Sequence, residues 1–211
     1  MAQSKPVTPN FRDVDKAAVS RAQNLSQGGR QDPLTAPEGA RSSESKKGEK
    51  YVRWSERITV NAAYRTVSKS GLLDVVVISK LRQTSKDNTG KSLFAHYYMN
   101  TAADVSEGHQ RMNENSETAI VSLLIATGLM PSSGALKASL LAKMFPEKGK
   151  PGEAPSPLAG KAAIAMIVQQ WQPKTDKNGK AIKEDGKVVL APRDGAEGFL
   201  PDMIDADEDE E

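Results

Sequence analysis

Six of the ten aromatic residues of this chain fall between positions 51 and 98: Tyr51, Trp54, Tyr64, Phe94, Tyr97 and Tyr98. Eight cations are interleaved with them: Arg53, Arg57, Arg65, Lys69, Lys80, Arg82, Lys86 and Lys91. Flat π faces beside positive charge suit unstacked nucleobases joined by phosphates, where each stacked base contributes ~1–3 kcal/mol. Strand alternation sorts the segment SLFAHYYMN into two sets. Phe94, His96 and Tyr98 point one way; Leu93, Ala95, Tyr97 and Met99 point the other and read as core. Aromatics in strands also serve as cross-strand packing, but the surrounding cations tip the group towards nucleic acid. The expected base platforms are Trp54, Phe94 and Tyr98. Arg53, Arg57, Lys80 and Arg82 are expected to neutralise phosphates, and Tyr64, Arg65 and His96 complete the face.

Two loops extend the same chemistry. TSKDNTGK carries Lys86 and Lys91, and KTDKNGKAIKEDGK carries Lys174, Lys177 and Lys180 among five lysines. Such loops can close over a phosphate backbone; a solvated lysine-rich hairpin is the plainer reading of the same residues. The opposite sign is concentrated at the C-terminus. The chain has 29 Lys and Arg against 27 Asp and Glu, a net of +2. Residues 202–211 hold seven of those acids and no base, which leaves a body of net +9. A run of like charge this dense does not fold alone and reads as an interaction tail. Phe199, Met203 and Ile204 place apolar groups beside Asp205, Asp207, Glu208, Asp209, Glu210 and Glu211. That combination suits a basic, partly apolar pocket on another protein, or the chain's own basic face when nucleic acid is absent.

Other chemistries find little support. With no cysteine, disulfides and thiolate metal sites are excluded. His96 and His109 are the only imidazoles and lie in no HExxH pattern, so no metal site and no cofactor are expected. Ser85–Ser92 reads SKDNTGKS, but a phosphate-binding loop requires Gly where Ser85 stands and a helix after it. The segment that follows alternates like a strand. No nucleophile motif surrounds either histidine, and the chain is expected not to be an enzyme. No apolar run approaches the ~20 residues of a membrane span, and the N-terminus lacks a signal-peptide core. A soluble, cytoplasmic protein is expected.

The elements that position these residues follow from periodicity. Residues 1–50 are rich in Ser, Gln, Gly, Pro and charge and are expected to be mostly disordered, with a short helix near 13–25. Strands are expected from Tyr51, over LLDVVVISKLRQ, and over SLFAHYYMN, the last two forming a hairpin. A helix capped at Asn115-Ser116 and ended by Gly128 follows. A second helix is expected over about 135–145, capped by Ser132 or Ser133. AAIAMIVQQWQ reads as a strand, although so apolar a run also admits a buried helix; a basic turn region and a final strand KVVLAP close the core at 200. The expectation is therefore a mainly β fold with a helical insertion: an OB-fold-like five-stranded barrel over 51–200, helices between its third and fourth strands, disordered termini, and an acidic tail at 201–211.

In layout, GLLDVVVISKLRQ, SLFAHYYMN, the helix NSETAIVSLLIATGL and the tail DMIDADEDEE resemble phage-encoded single-stranded DNA-binding proteins over about 51–211. The resemblance implies an OB-fold that coats and protects single-stranded DNA in replication and recombination. It also implies recruitment of a polymerase, helicase or recombinase through the acidic tail, in the cytoplasm of an infected bacterium. Many tails of that family end in an aromatic residue, whereas this one ends in Glu211. A homo-oligomer is compatible with the pattern. The competing reading is a replication or recombination accessory protein, or a phage structural interaction protein, with little DNA binding of its own.

Overall fold

The computed structural model describes residues 9–27, 52–82, 91–130, 136–152, 154–176, 178 and 180–202. Five antiparallel strands form one sheet: β1 (Val52–Val67), β2 (Leu73–Leu81), β3 (Ser92–Met99), β4 (Ala162–Pro173) and, last in the chain, β7 (Leu190–Leu200). Their order across the sheet is β3-β2-β1-β4-β7. Between β4 and β7 a small ribbon pairs β5 (Lys183–Glu184) with β6 (Lys187–Val188). Three helices accompany the sheet: α1 (Lys16–Gln27), α2 (Glu107–Ala126) and α3 (Ala138–Met144). The fold is mixed α/β, with α2 and α3 between β3 and β4.

The sheet does not close into a barrel, contrary to expectation. The end strands β3 and β7 approach each other, but α2 takes up backbone groups along their edges. Ser116 Oγ donates to the Tyr98 carbonyl at 2.8 Å, and the Phe199 amide donates to Ser122 Oγ at 3.0 Å. Across the seam the Tyr97 hydroxyl donates to the Ala196 carbonyl at 3.1 Å, and its ring meets Phe199 edge-on. Complete burial pushes the Tyr97 phenol far above its ordinary pKa.

Period-2 alternation places the core on one side. Val75 and Val77 of β2, Leu93, Ala95 and Tyr97 of β3, and Ile167 of β4 are buried together beneath Ile120, Leu123 and Leu124 of α2. On β1 the alternation changes phase. Val60 pairs with Ser79 and Ala62 with Ile78, so Asn61 is an extra, bulged residue. Ile58 and Val60 face the core before it, and Ala63 and Arg65 after it. Unbroken alternation from Ile58 and Val60 would turn Tyr64 inward; the bulge turns it outward.

Several elements depart from the sequence reading. Residues 9–27 are ordered: Phe11, Ala18, Val19 and Ala22 are buried against the rest of the core. The short helix expected near 13–25 is present as α1, Lys16–Gln27; its burial, with that of Phe11 ahead of it, was not expected. The rest of 1–50 and most of the acidic tail lie outside the described residues. Helix α2 begins two and a half turns earlier than expected, capped by Ser106, whose Oγ accepts from the His109 amide. Its first turns are polar and carry no apolar period. It ends as expected: Gly128, at φ 68°, donates to the Ile125 carbonyl while Leu129 donates to that of Leu124. Helix α3 starts at Ala138, and residues 131–135, with the expected Ser132 or Ser133 cap, lie outside the described residues. Asp13 caps this helix from a distance, its Oδ1 accepting from the Ala138 amide at 2.9 Å. The final strand, expected over KVVLAP, is β7 at Leu190–Leu200 and runs on through PRDGAEGFL, while Lys187 and Val188 belong to β6. Gly198 fits because a Cβ there would stand 2.7 Å from Met166 Cε and 2.9 Å from Leu25 Cδ2.

Candidate nucleic-acid interface

The outward face of β3 is an aromatic row. The strand is alternately exposed and buried along its whole length. Phe94 is 53 % exposed, Tyr98 38 %, and the His96 side chain 42 %. The imidazole of His96 and the ring of Tyr98 lie nearly parallel, 17° apart with centroids 5.9 Å from each other. His96 Nδ1 sits 3.1 Å from both carboxylate oxygens of Asp74 on β2, which fixes the ring in plane and leaves Nε2 turned away from the pair.

Registry extends this face across two more strands. His96 pairs with Val76, which pairs with Tyr64; Phe94 pairs with Ile78 and then Ala62; Ser92 pairs with Lys80 and then Thr59. Cross-strand partners share a face. Tyr64, Val76 and His96 therefore form one transverse row, with exposed Lys80 two rows away. Lys148 stands at the β1 end of the transverse row, its ammonium 5.0 Å from the centroid of the Tyr64 ring.

Other expected site residues do different work. Trp54 is fully buried, its indole N–H donating to Glu56 Oε1 at 2.8 Å, so it is a core residue and not a base platform. It shares the inward parity of Ile58, which cannot be told from the outward one without the register. Arg65 is also corrected: it is buried, and its Nη1 donates to the Ala142 and Phe145 carbonyls at the end of α3, 3.3 Å each. It neutralises a helix C-terminus. Phe199, expected to help the tail dock, is a fully buried β7 residue against Tyr97 and is not available to a partner.

Arg57 and Arg82 do lie on the outward face, and there they meet Asp202. Arg57 Nε is 3.5 Å from Asp202 Oδ1 and Arg82 Nη1 is 3.8 Å from Oδ2, with the Asp202 side chain only 3 % exposed. The first acid of the acidic run is thus seated between two of the cations expected to hold phosphate. Lys80, Lys91, Lys174 and Lys180 are exposed. Arg53 occupies a β1 position opposite Val168; its side chain, Lys86, Lys177, and the tail residues Met203, Ile204, Asp205, Asp207, Glu208, Asp209, Glu210 and Glu211 lie outside the description. The arm that carries Lys174 and Lys180 also presents Asp176, Glu184 and Asp185, so it is less basic than its lysines suggest.

Sequence reasoning missed three participants. Asp74 sits inside an apolar strand, and that oddity was its signal. Lys148 lies in a loop with no motif, and Asp202 is distant in sequence from Arg57. Among the described residues no cluster of three or more His, Asp or Glu is placed to hold a metal ion, and no helix is long and apolar enough to cross a membrane.

No protein-family model matches this sequence, and no curated protein matches it.

Proposed function

We propose that this chain is a sequence-tolerant single-stranded DNA-binding protein, built on an OB-fold-like sheet that stays open between its third and fifth long strands. The observation that carries the reading is the outward row Phe94, His96 and Tyr98 on β3, flanked by Lys80 and Lys148. Exposed rings of this size on a strand forgo burial that a core would reward, and bases are ligands that repay it. Two further features support it. The strand order, with a helix after β3, suits an OB-fold, and OB-folds bind oligonucleotides on the face of their second and third strands. The body carries a net charge of +9, and the last ten residues hold seven acids and no base. In this reading the protein coats and protects single strands during replication or recombination, in a phage setting. Its acidic tail recruits a replication or recombination partner.

The test is a fluorescence titration with an oligo-dT of about 30 nucleotides, at two salt concentrations, beside a duplex of equal length. Strand-selective binding that weakens with salt, by ~0.7 log units per log of salt for each phosphate neutralised, is the expected result. Absence of binding, or preference for the duplex, overturns the proposal and redirects attention to protein partners.

A further inference from the structure

The Lys148–Tyr64 pair lies off the β3 row, and its placement is built rather than accidental. The Arg65 amide donates to the Pro146 carbonyl at 2.9 Å, and the Lys148 amide donates to the Arg65 carbonyl at 3.0 Å. These two bonds strap residues 146–148 along the free edge of β1, beyond the point where β4 stops pairing with it. The strap holds an exposed lysine next to the one aromatic ring that β1 turns outward among the described residues. That ring is turned outward only because Asn61 bulges. It lies two strand spacings from His96, about 10 Å across the sheet.

From this geometry, and resting on the nucleic-acid reading above, we infer that Tyr64 is a second base platform, held under the ammonium of Lys148 until a strand arrives. The bound strand runs transversely, from Phe94, His96 and Tyr98 on β3 over Val76 to Tyr64 on β1. An exposed ammonium over a ring is a weaker contact than a base stacked on it. The base therefore displaces Lys148, and the released ammonium pairs with the adjoining phosphate. The exchange needs only a side-chain rotation, because the backbone of Lys148 is already tied. The ligand class is a single strand long enough to cross three strands of the sheet. A short oligonucleotide occupies the β3 row alone.

The experiment compares oligo-dT of about 4 and about 16 nucleotides, the limits of the usual site size, on the full-length wild type, Lys148→Ala, Tyr64→Leu and Tyr64→Phe. Thermal melts check that each variant is folded. Tyr64→Leu is expected to lose about 5-fold to 100-fold in affinity for the long oligonucleotide and nothing for the short one. Tyr64→Phe keeps the ring and is expected to match the wild type on both. Lys148→Ala is expected to lower the salt slope for the long oligonucleotide by ~0.7. Equal losses on both lengths, or an unchanged slope in Lys148→Ala, overturn the inference while leaving the β3 row intact. Failure of the wild type to bind either length removes the parent reading as well.

Discussion

Trp54 on β1 and Phe94 on β3 are both rings set among cations in alternating strands, yet one is fully buried and the other more than half exposed. The two strands differ in what surrounds them. Strand β1 lies between β2 and β4, and its outward side at Arg57 holds Asp202, delivered by the chain leaving β7. Among the described residues strand β3 pairs with β2 alone, and α2 engages its edge through Ser116. An aromatic among cations is thus a binding candidate only after parity and cover are known. Where the cover is a carboxylate, as at Arg57 and Arg82, the cations are already engaged.

The contrast can be broken most forcefully at Trp54. Trp54→Ala is expected to cost ~3–5 kcal/mol of folding stability, measured by urea denaturation, through loss of a fully buried indole. Molecules that remain folded at low temperature should keep their affinity for oligo-dT. A large affinity loss with little destabilisation would reverse the assignment. The double variant Phe94→Ala/Tyr98→Ala should behave in the opposite way, losing roughly 100-fold or more in affinity with a melting temperature within a few degrees of wild type. Collapse of the fold in that variant would return β3 to a packing role.

A smaller effect is expected at Asp202. Removing residues 202–211 should raise oligo-dT affinity by about 5-fold at low salt, because Arg57 and Arg82 lose their carboxylate and seven negative charges leave the basic body. The gain should fade at high salt. Unchanged or weaker binding would mean that Arg57 and Arg82 serve only to fasten the end of β7.

The smallest effect concerns the strap between the N-terminal segment and α3. The side-chain hydrogen bond from Lys137 Nζ, at 2.8 Å, together with that from the Ala138 amide, holds the Asp13 carboxyl below its ordinary pKa of 3.8. A depressed carboxylate stabilises the fold above its unfolded pKa, and that contribution is lost as pH falls through the lower folded value. Stability should therefore drop as pH is taken downward from about 3.8, and Asp13→Asn should flatten that part of the profile in thermal melts. An identical slope in the variant would show that the cap is energetically silent.

The sequence was legible where period and burial coincide. The β2–β3 hairpin, the inward and outward sets of β3 and the Gly128 end of α2 follow from alternation and cap chemistry alone, whereas the apolar run of β4 also admits a buried helix. What escaped it depends on partners distant in the chain. The polar first turns of α2 are held by Ser106 locally and by Ser116 against Tyr98, a contact with no sequence period. Helix α1 was expected near 13–25, but its packing against α2 and β7 was not. The outward face was read correctly at Phe94, His96 and Tyr98. It was read wrongly at Trp54, which shares the inward parity of Ile58, and at Arg65, whose parity has to be counted through a bulge that no residue type announces.

That bulge has a genetic consequence. Loss of the single codon for Asn61 would join Val60 directly to Ala62, whose partners Ser79 and Ile78 are already neighbours on β2. Tyr64 would stay outward, and Ala63 and Arg65 would stay inward. Flattening the bulge with Asn61 still in the ladder is the damaging change: every later residue of β1 would slip by one place, driving Tyr64 inward and bringing Ala63 and Arg65 out. An exposed, extra asparagine is therefore a position where both substitution and deletion should be mild.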